Sequence, residues 1–218
     1  IPGGSGNDFI RSIDFKLGKQ LIRKQAMEEV LQRTINGIER YVDLARVNDR
    51  YFINIASVGF DAQVVSSTLK LKGKPGISGS MAYAMGIFTT IAGCRNYELV
   101  LNIDGEEIRR TSLLVAVANG KYYGGGMQPV PKAVINDGKL DICVVEKQSR
   151  FKILRLFPKY MKGVHGKLKG VEFFGCSRVT ITSSADMPLN VDGEVMKVKS
   201  AEFEIIPEGI KIVYPQGS

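Results

Sequence analysis

The 218-residue chain is poor in the residues on which much enzyme chemistry rests. It has one histidine, His165, and three cysteines, Cys94, Cys143 and Cys176. The cysteines are far apart, odd in number and without a C-x-x-C pair. That argues against a disulfide framework or a zinc site and fits a reducing compartment. With a single histidine, no Ser-His-Asp or Cys-His set can be assembled, so nucleophilic hydrolysis is disfavoured. His165 itself, set in a Lys- and Gly-rich stretch, is expected to be an exposed or tethering side chain and not a metal ligand. No apolar run approaches about 18 residues, so no helical segment is expected to span a bilayer. Internal repeats, low-complexity tracts and evident linkers are also missing.

Glycine and positive charge are plentiful. There are 24 glycines, and 30 Lys and Arg stand against 22 Asp and Glu, a formal net charge of +8. At 44% hydrophobic residues the chain can bury a sizeable core, as one large domain or two small ones. The basic residues are not interleaved with aromatics and match no nucleic-acid motif, so nucleic acid is not an expected partner. Two richer stretches, Lys70–Lys74 and Lys159–Lys169, suit either solvated loops or an anionic membrane surface.

The chain opens on Ile1-Pro2-Gly3-Gly4-Ser5-Gly6-Asn7-Asp8, a glycine turn leading into a helical pattern, which suits an anion at a helix N-terminus. Helical spacing runs over residues 7–36, with Leu21, Ile22, Met27, Val30 and Leu31 near one face, and Asn36-Gly37 ends it. The period then changes to two, and 41–47 and 51–55 read as strand, turn, strand. A flexible loop over 73–79 leads to a buried helix over 81–94, and a further helix is expected over 153–161. Strand patterns cover 98–103, 107–111, 113–118, 140–145, 171–174, 178–183, 189–191, 198–206 and 210–214. The expected class is α+β, mainly β: an antiparallel β-sandwich with two inserted helices.

Asp104-Gly105, Asp137-Gly138 and Asp192-Gly193-Glu194 have the form of hairpin turns. The run Asn119-Gly120-Lys121-Tyr122-Tyr123-Gly124-Gly125-Gly126 is too glycine-rich for an ordinary hairpin and lets a loop approach a ligand or another strand closely. Acidic residues in glycine turns, together with a phosphate-type loop, point to metal-assisted phosphoryl transfer.

The string Pro2-Gly3-Gly4-Ser5-Gly6-Asn7-Asp8-Phe9-Ile10-Arg11 resembles the P-x-G-T-x-N-D-F-A-R segment of the diacylglycerol kinase catalytic family. That family includes bacterial soluble diacylglycerol kinases and related lipid kinases, with sphingosine kinases as relatives. Residues 51–62, the 119–126 cluster, Asn136-Asp137-Gly138-Lys139-Leu140-Asp141 and Asp192-Gly193-Glu194 agree in order and spacing. The resemblance covers nearly the whole chain, from Ile1 to about Tyr214.

The resemblance implies a two-domain kinase that uses ATP and Mg²⁺. Residues 1–36 are expected to be the helical remnant of an NAD-kinase-like N-terminal α/β nucleotide domain, and 37–206 the lipid-side β-sandwich. Residues 207–218 are expected to return to the first domain. The family's G-G-D-G-T motif is absent from these residues, so this segment alone is expected to be inactive. Glu194 aligns with the general base, and Asp192 would orient it or help the metal network. Gly4, Ser5 and Asn7 would contact the nucleotide, with Ser5 keeping the hydroxyl of the family's Thr. Asp8 would help hold Mg²⁺ at the phosphates. A structural Mg²⁺ site is implied at the Asp137 carboxylate and the Val134 and Lys139 carbonyls. The implied substrate is diacylglycerol or a similar lipid alcohol, and the implied setting is cytoplasmic, at an anionic membrane periphery, with a homodimer by analogy. The alternative reading is a non-catalytic lipid- or partner-binding β-sandwich module of the same family.

Overall fold

The computed structural model describes residues 7–13, 27–71 and 79–214. Helices α1 (Asp8–Ile13) and α2 (Met27–Ile35) come first, and α2 ends where Gly37 N–H turns back to the Thr34 carbonyl. Strands β1 (Ile38–Val47), β2 (Arg50–Phe52) and β3 (Ile55–Gly59) follow, then α3 (Phe60–Leu71) and α4 (Gly79–Ala92). Next come β4 (Tyr97–Ile103), β5 (Glu106–Ala118), β6 (Leu140–Glu146) and α5 (Arg150–Met161). Three strands close the chain: β7 (Val171–Cys176), β8 (Arg178–Val191) and β9 (Glu194–Tyr214).

Among the described residues nine antiparallel strands form one hydrogen-bonded sheet, in the order β2-β1-β9-β8-β3-β5-β6-β7. β4 sits off this path and pairs with both β5 and β8. The registers place β3 and β4 end to end in the same gap: Gly59 faces Leu114 and Tyr97 faces Ser112 along β5. The α3–α4 pair is thus inserted where one strand stops and the other resumes.

The sheet folds over on itself, and alternate residues of its middle strands enter two different cores. Ala56, Val58, Val115, Val117, Ile142 and Val144 meet Ala45, Phe52, Ile181, Leu189 and Phe203, the interior of the sandwich. Ile55, Leu114, Ala116, Cys143 and Val145 point the other way, onto Phe60 and Val64 of α3 and Ile153, Leu156 and Tyr160 of α5. Burial on both faces is why β3 and the last half of β5 read as continuous apolar runs.

Three inserted helices stand among the described residues, one more than the sequence pattern suggested. α3 escapes detection because Val64, Val65 and Thr68 are β-branched and extend the strand-like run before them. Strand candidates that read as pairs are single long strands interrupted by bulges, between Ser112 and Leu114 on β5 and between Thr182 and Met187 on β8. A bulge shifts the alternation by one residue and hides the continuity. Residues 207–214 likewise continue β9, and Ile210–Tyr214 pair with Ile38–Val42. The loop expected over 73–79 lies outside the described residues except for Gly79, which opens α4.

Candidate functional site

At one end of the sandwich the glycine run folds as a tight loop. Tyr123 and Met127 bridge across it, and Gly124, Gly125 and Gly126 have φ of 58°, 89° and 110°. Three successive left-handed residues require glycine. The exposed loop N–H of Gly125 donates to Asp8 Oδ2 of α1 at 2.9 Å. A Cβ at Gly126 would stand 3.0 Å from the Arg11 guanidinium, and one at Gly120 would stand 2.9 Å from Asn54 Oδ1 and 3.1 Å from Ser12 Oγ. The glycines therefore let the first helix seat directly on the β-domain.

The Asp192-Gly193-Glu194 turn stands beside this seat, and its two acids behave differently. Asp192 accepts the backbone N–H groups of Ile53 (2.8 Å), Asn54 (3.3 Å) and Ile55 (3.0 Å). Burial pushes its carboxyl up, these N–H groups hold it down, and the charge of Asp8 adds a further upward push. Asp192 thus staples the β8–β9 turn to the start of β3. Glu194, by contrast, is 74% exposed and pairs with Arg50, itself 53% exposed, at 2.6 Å.

Two further acids complete the region. Asp43, at the β1 bulge, is buried and accepts from Gly138 N (2.7 Å) and Glu208 N (2.9 Å), while its carbonyl takes an N–H of Asn119. The sequence pattern treats Asp43 as an ordinary strand residue; the available signal was an acid inside an otherwise apolar inward run. Asp61, at the start of α3, has its pKa pushed up to about 6 by burial, opposed by hydrogen bonds from Ser57, the Ala62 N–H and Tyr123.

Of the nucleotide-side residues implied by the motifs, Gly4 and Ser5 lie outside the described residues. Asn7 stands just ahead of α1 with a φ of 49°. Asp8 Oδ1 is buried without a hydrogen-bond partner among the described residues, with Arg11 Nε 3.8 Å away. An Asp8 oxygen left without a hydrogen bond among the described residues, near the Asp192 carboxylate, fits a hard divalent cation.

Val134, Asp137 and Lys139 share the loop before β6. One Asp137 oxygen takes the Lys139 N–H at 3.1 Å, and the Asp137 charge helps push Asp141 upward, after burial itself. No cluster of three ligating side chains occurs among the described residues, so a metal here would rely on backbone carbonyls. These oxygen donors suit Mg²⁺ rather than a softer metal.

His165 is fully buried, where an exposed position had been one expectation. Its Nε2 lies 3.0 Å from the Pro129 carbonyl and 3.6 Å from Cys143 Sγ, and burial lowers its pKa. It is a tether under the loop that follows the glycines. At the far end of β8, Asp104 accepts from Ser177 and Arg178 N–H groups and Glu204 pairs with Arg46 and Arg178. That polar network is internally satisfied.

Residues 54–214 match the model of the YegS C-terminal NAD kinase beta sandwich-like domain. The chain is 27% identical over 219 residues to a diacylglycerol kinase of Bacillus subtilis (strain 168), covering 99% of this chain and 68% of the relative. It is 28% identical over 222 residues to a diacylglycerol kinase of Mycobacterium tuberculosis (strain ATCC 25618 / H37Rv), again covering 99% of this chain and 68% of the relative. A crystal structure of a diacylglycerol kinase from Bacillus anthracis str. Sterne shares the fold, with a TM-score of 0.62 at 19% identity, covering 99% of this chain and 66% of that one. The chain spans about two thirds of the length of the curated relatives it matches, 66% in one of them.

Proposed function

Because the chain belongs to the family of the YegS C-terminal NAD kinase beta sandwich-like domain, we propose that it is the acceptor side of an ATP-dependent lipid kinase. The reaction is transfer of the γ-phosphoryl group of ATP to the hydroxyl of diacylglycerol or a similar lipid alcohol. One observation carries this reading. Residues 184 positions apart, Asp8 and Asp192, are gathered at the glycine loop: Gly125 N–H donates to Asp8, and Gly120 lies between Ser12 of α1 and Asn54, whose N–H donates to Asp192 beside the exposed Glu194 carboxylate.

In this arrangement α1 faces the nucleotide phosphates, with Asp8 fixed by the Gly125 N–H. Mg²⁺ held at Asp8 would neutralise charge on the phosphates. Asp192 keeps the turn in place, and Glu194 takes the proton of the attacking lipid hydroxyl as that oxygen bonds to the γ-phosphorus, whose bond to the bridging oxygen breaks and releases ADP. The 2.6 Å contact with Arg50 limits where the Glu194 carboxylate can point. The loop at Asp137, tied to Asp43 through Gly138, supports the same end of the sandwich, and Mg²⁺ there would be structural.

The test uses the full-length protein with Mg·ATP and short-chain diacylglycerol in mixed micelles. Labelled phosphatidic acid is expected from the native protein, and Glu194→Gln should lose about a hundredfold or more of the rate. Normal folding with no transfer to any lipid alcohol would favour a non-catalytic lipid-binding module.

A further inference from the structure

Helix α5 carries an apolar stripe that the fold does not use. Its inner face, Ile153, Leu156 and Tyr160, is buried against the sheet. Phe151, Leu154, Pro158 and Met161 recur at i, i+3, i+7 and i+10 and share the opposite, outer side. Phe151 is 82% exposed, Leu154 46%, Met161 39%, and Val164 just beyond the helix 62%. Packing of the inner face forces this stripe into solvent. Flexibility of the helix does not explain it.

The charge around the stripe is equally one-sided. From Lys147 to Val171 there are eight basic residues, Lys147, Arg150, Lys152, Arg155, Lys159, Lys162, Lys167 and Lys169, and no Asp or Glu. Those eight equal the whole formal net charge of +8, so the rest of the chain is electrically balanced. All eight are exposed, and none takes part in an ion pair among the described residues. Lys152, Arg155, Lys159 and Lys162 flank the stripe along one side of the helix, by the 3.6-residue period.

We propose that the outer face of α5 is the surface by which this protein docks on an anionic lipid bilayer. Phe151, Leu154 and Met161 would enter the acyl boundary and the surrounding cations would sit at the headgroups. An apolar stripe beside a purely cationic flank is the pattern of an interfacial helix. A second copy of the same face is disfavoured, since it would bring eight cations against eight. Single-stranded RNA would match the charge but gives no role to the exposed aliphatic side chains.

The helix is also well placed. Its C-terminal end is joined to the glycine loop by the Tyr123–Tyr160 hydroxyl pair at 3.1 Å. Its N-terminal end follows β6, which runs away from the Asp43–Gly138 corner. A bilayer against α5 would therefore lie against a helix tied directly to the glycine loop of the candidate site. This assignment rests on the lipid-kinase reading only for the identity of the substrate, and binding is measurable without catalysis.

The experiment is flotation of the full-length protein with vesicles of equal parts phosphatidylglycerol and phosphatidylcholine, beside vesicles of phosphatidylcholine alone. Binding is expected only to the anionic vesicles and should weaken as salt rises. The pair Phe151→Ser and Leu154→Ser should lower the partition coefficient about tenfold or more, with an unchanged melting curve because both side chains are exposed. The same pair should keep the rate on micellar short-chain substrate and lose it on substrate embedded in vesicles. The assignment is overturned if the native protein ignores anionic vesicles or if the serine pair binds as well as the native protein. It is also overturned if the pair instead dissolves a dimer, or if only RNA binding responds. Vesicle binding that follows the variants, with no phosphoryl transfer to any lipid, would leave the docking face standing and remove the kinase reading.

Discussion

Asp192 and Glu194 are two residues apart and have opposite physical roles. Asp192 is held by three backbone N–H groups, so its loss leaves three donors at the start of β3 without a partner. Asp192→Ala is expected to destabilise the protein by about 2–4 kcal/mol in urea unfolding. Glu194→Ala should stay within about 0.5 kcal/mol of the native value, because an exposed pair with Arg50 contributes little. A Glu194 variant as destabilised as the Asp192 variant would argue that Glu194 is structural. Asp61 makes a separate prediction through pH. Its folded pKa is raised from 3.8 to about 6, so the folded state binds the proton more tightly than the unfolded state. Its contribution to stability is therefore fully present below pH 3.8 and lost as pH rises through about 6. Asp61→Asn should flatten that part of the stability profile, read as the difference in urea midpoint between about pH 4 and pH 7. An identical slope in both proteins would refute the assignment. The motif Asp192-Gly193-Glu194 was legible from the chain; which of its acids is the staple was not, because that depends on backbone donors 137 to 139 residues away.

At the scale of elements, the seat between α1 and the glycine loop is the critical contact. Gly125 and Gly126 both have positive φ, but only a Cβ at Gly126 would meet Arg11, while one at Gly125 meets nothing within 4 Å. Alanine at either should cost about 1–3 kcal/mol through backbone strain. Gly126→Ala should in addition push the Arg11 guanidinium aside by a few tenths of an ångström, so the phosphoryl transfer proposed above should fall below that of Gly125→Ala at matched fraction folded. Equal activities would show that the helix seat does not matter to the site. The glycine cluster was conspicuous in the chain and the helix after Asn7 was expected. Their mutual contact was not, since nothing local relates residues 117 positions apart. α3 was missed altogether because β-branched residues have weak helix propensity, and packing on the sheet overrides it.

For the molecule as a whole, the double burial of the middle strands sets a gradient of stability. β3 and the second half of β5 are covered on one side by the sandwich core and on the other by α3 and α5. The outer halves of β1 and β9 pair Ile38–Val42 with residues up to Tyr214 but are largely exposed. Native-state hydrogen exchange should show amides of Ala56–Val58 and Val115–Val117 exchanging only by global unfolding. Those of Ile38–Tyr41 and Ile210–Val213 should exchange by local opening and respond less to denaturant. Uniform protection along β9 would contradict this division. The single sheet order also explains the long β9: its first half closes the sandwich against β8 and its second half reaches back along β1.

What the chain determined unaided is its local grammar: the two-residue alternation, the Asp-Gly turns, the glycine cluster, the lack of an apolar run of about 18 residues and the basic stretch Lys159–Lys169. These depend on neighbours within a few residues, so composition and period reveal them. Only the tertiary structure decided that β3 and β4 share one lane and that Asp43 is a buried tie. It alone placed Asp8 beside Asp192 and turned the Phe151 stripe outward while Ile153 faces in. Each of these is a choice of partner across long sequence separation, made by which surfaces exclude water together, and no local pattern encodes it.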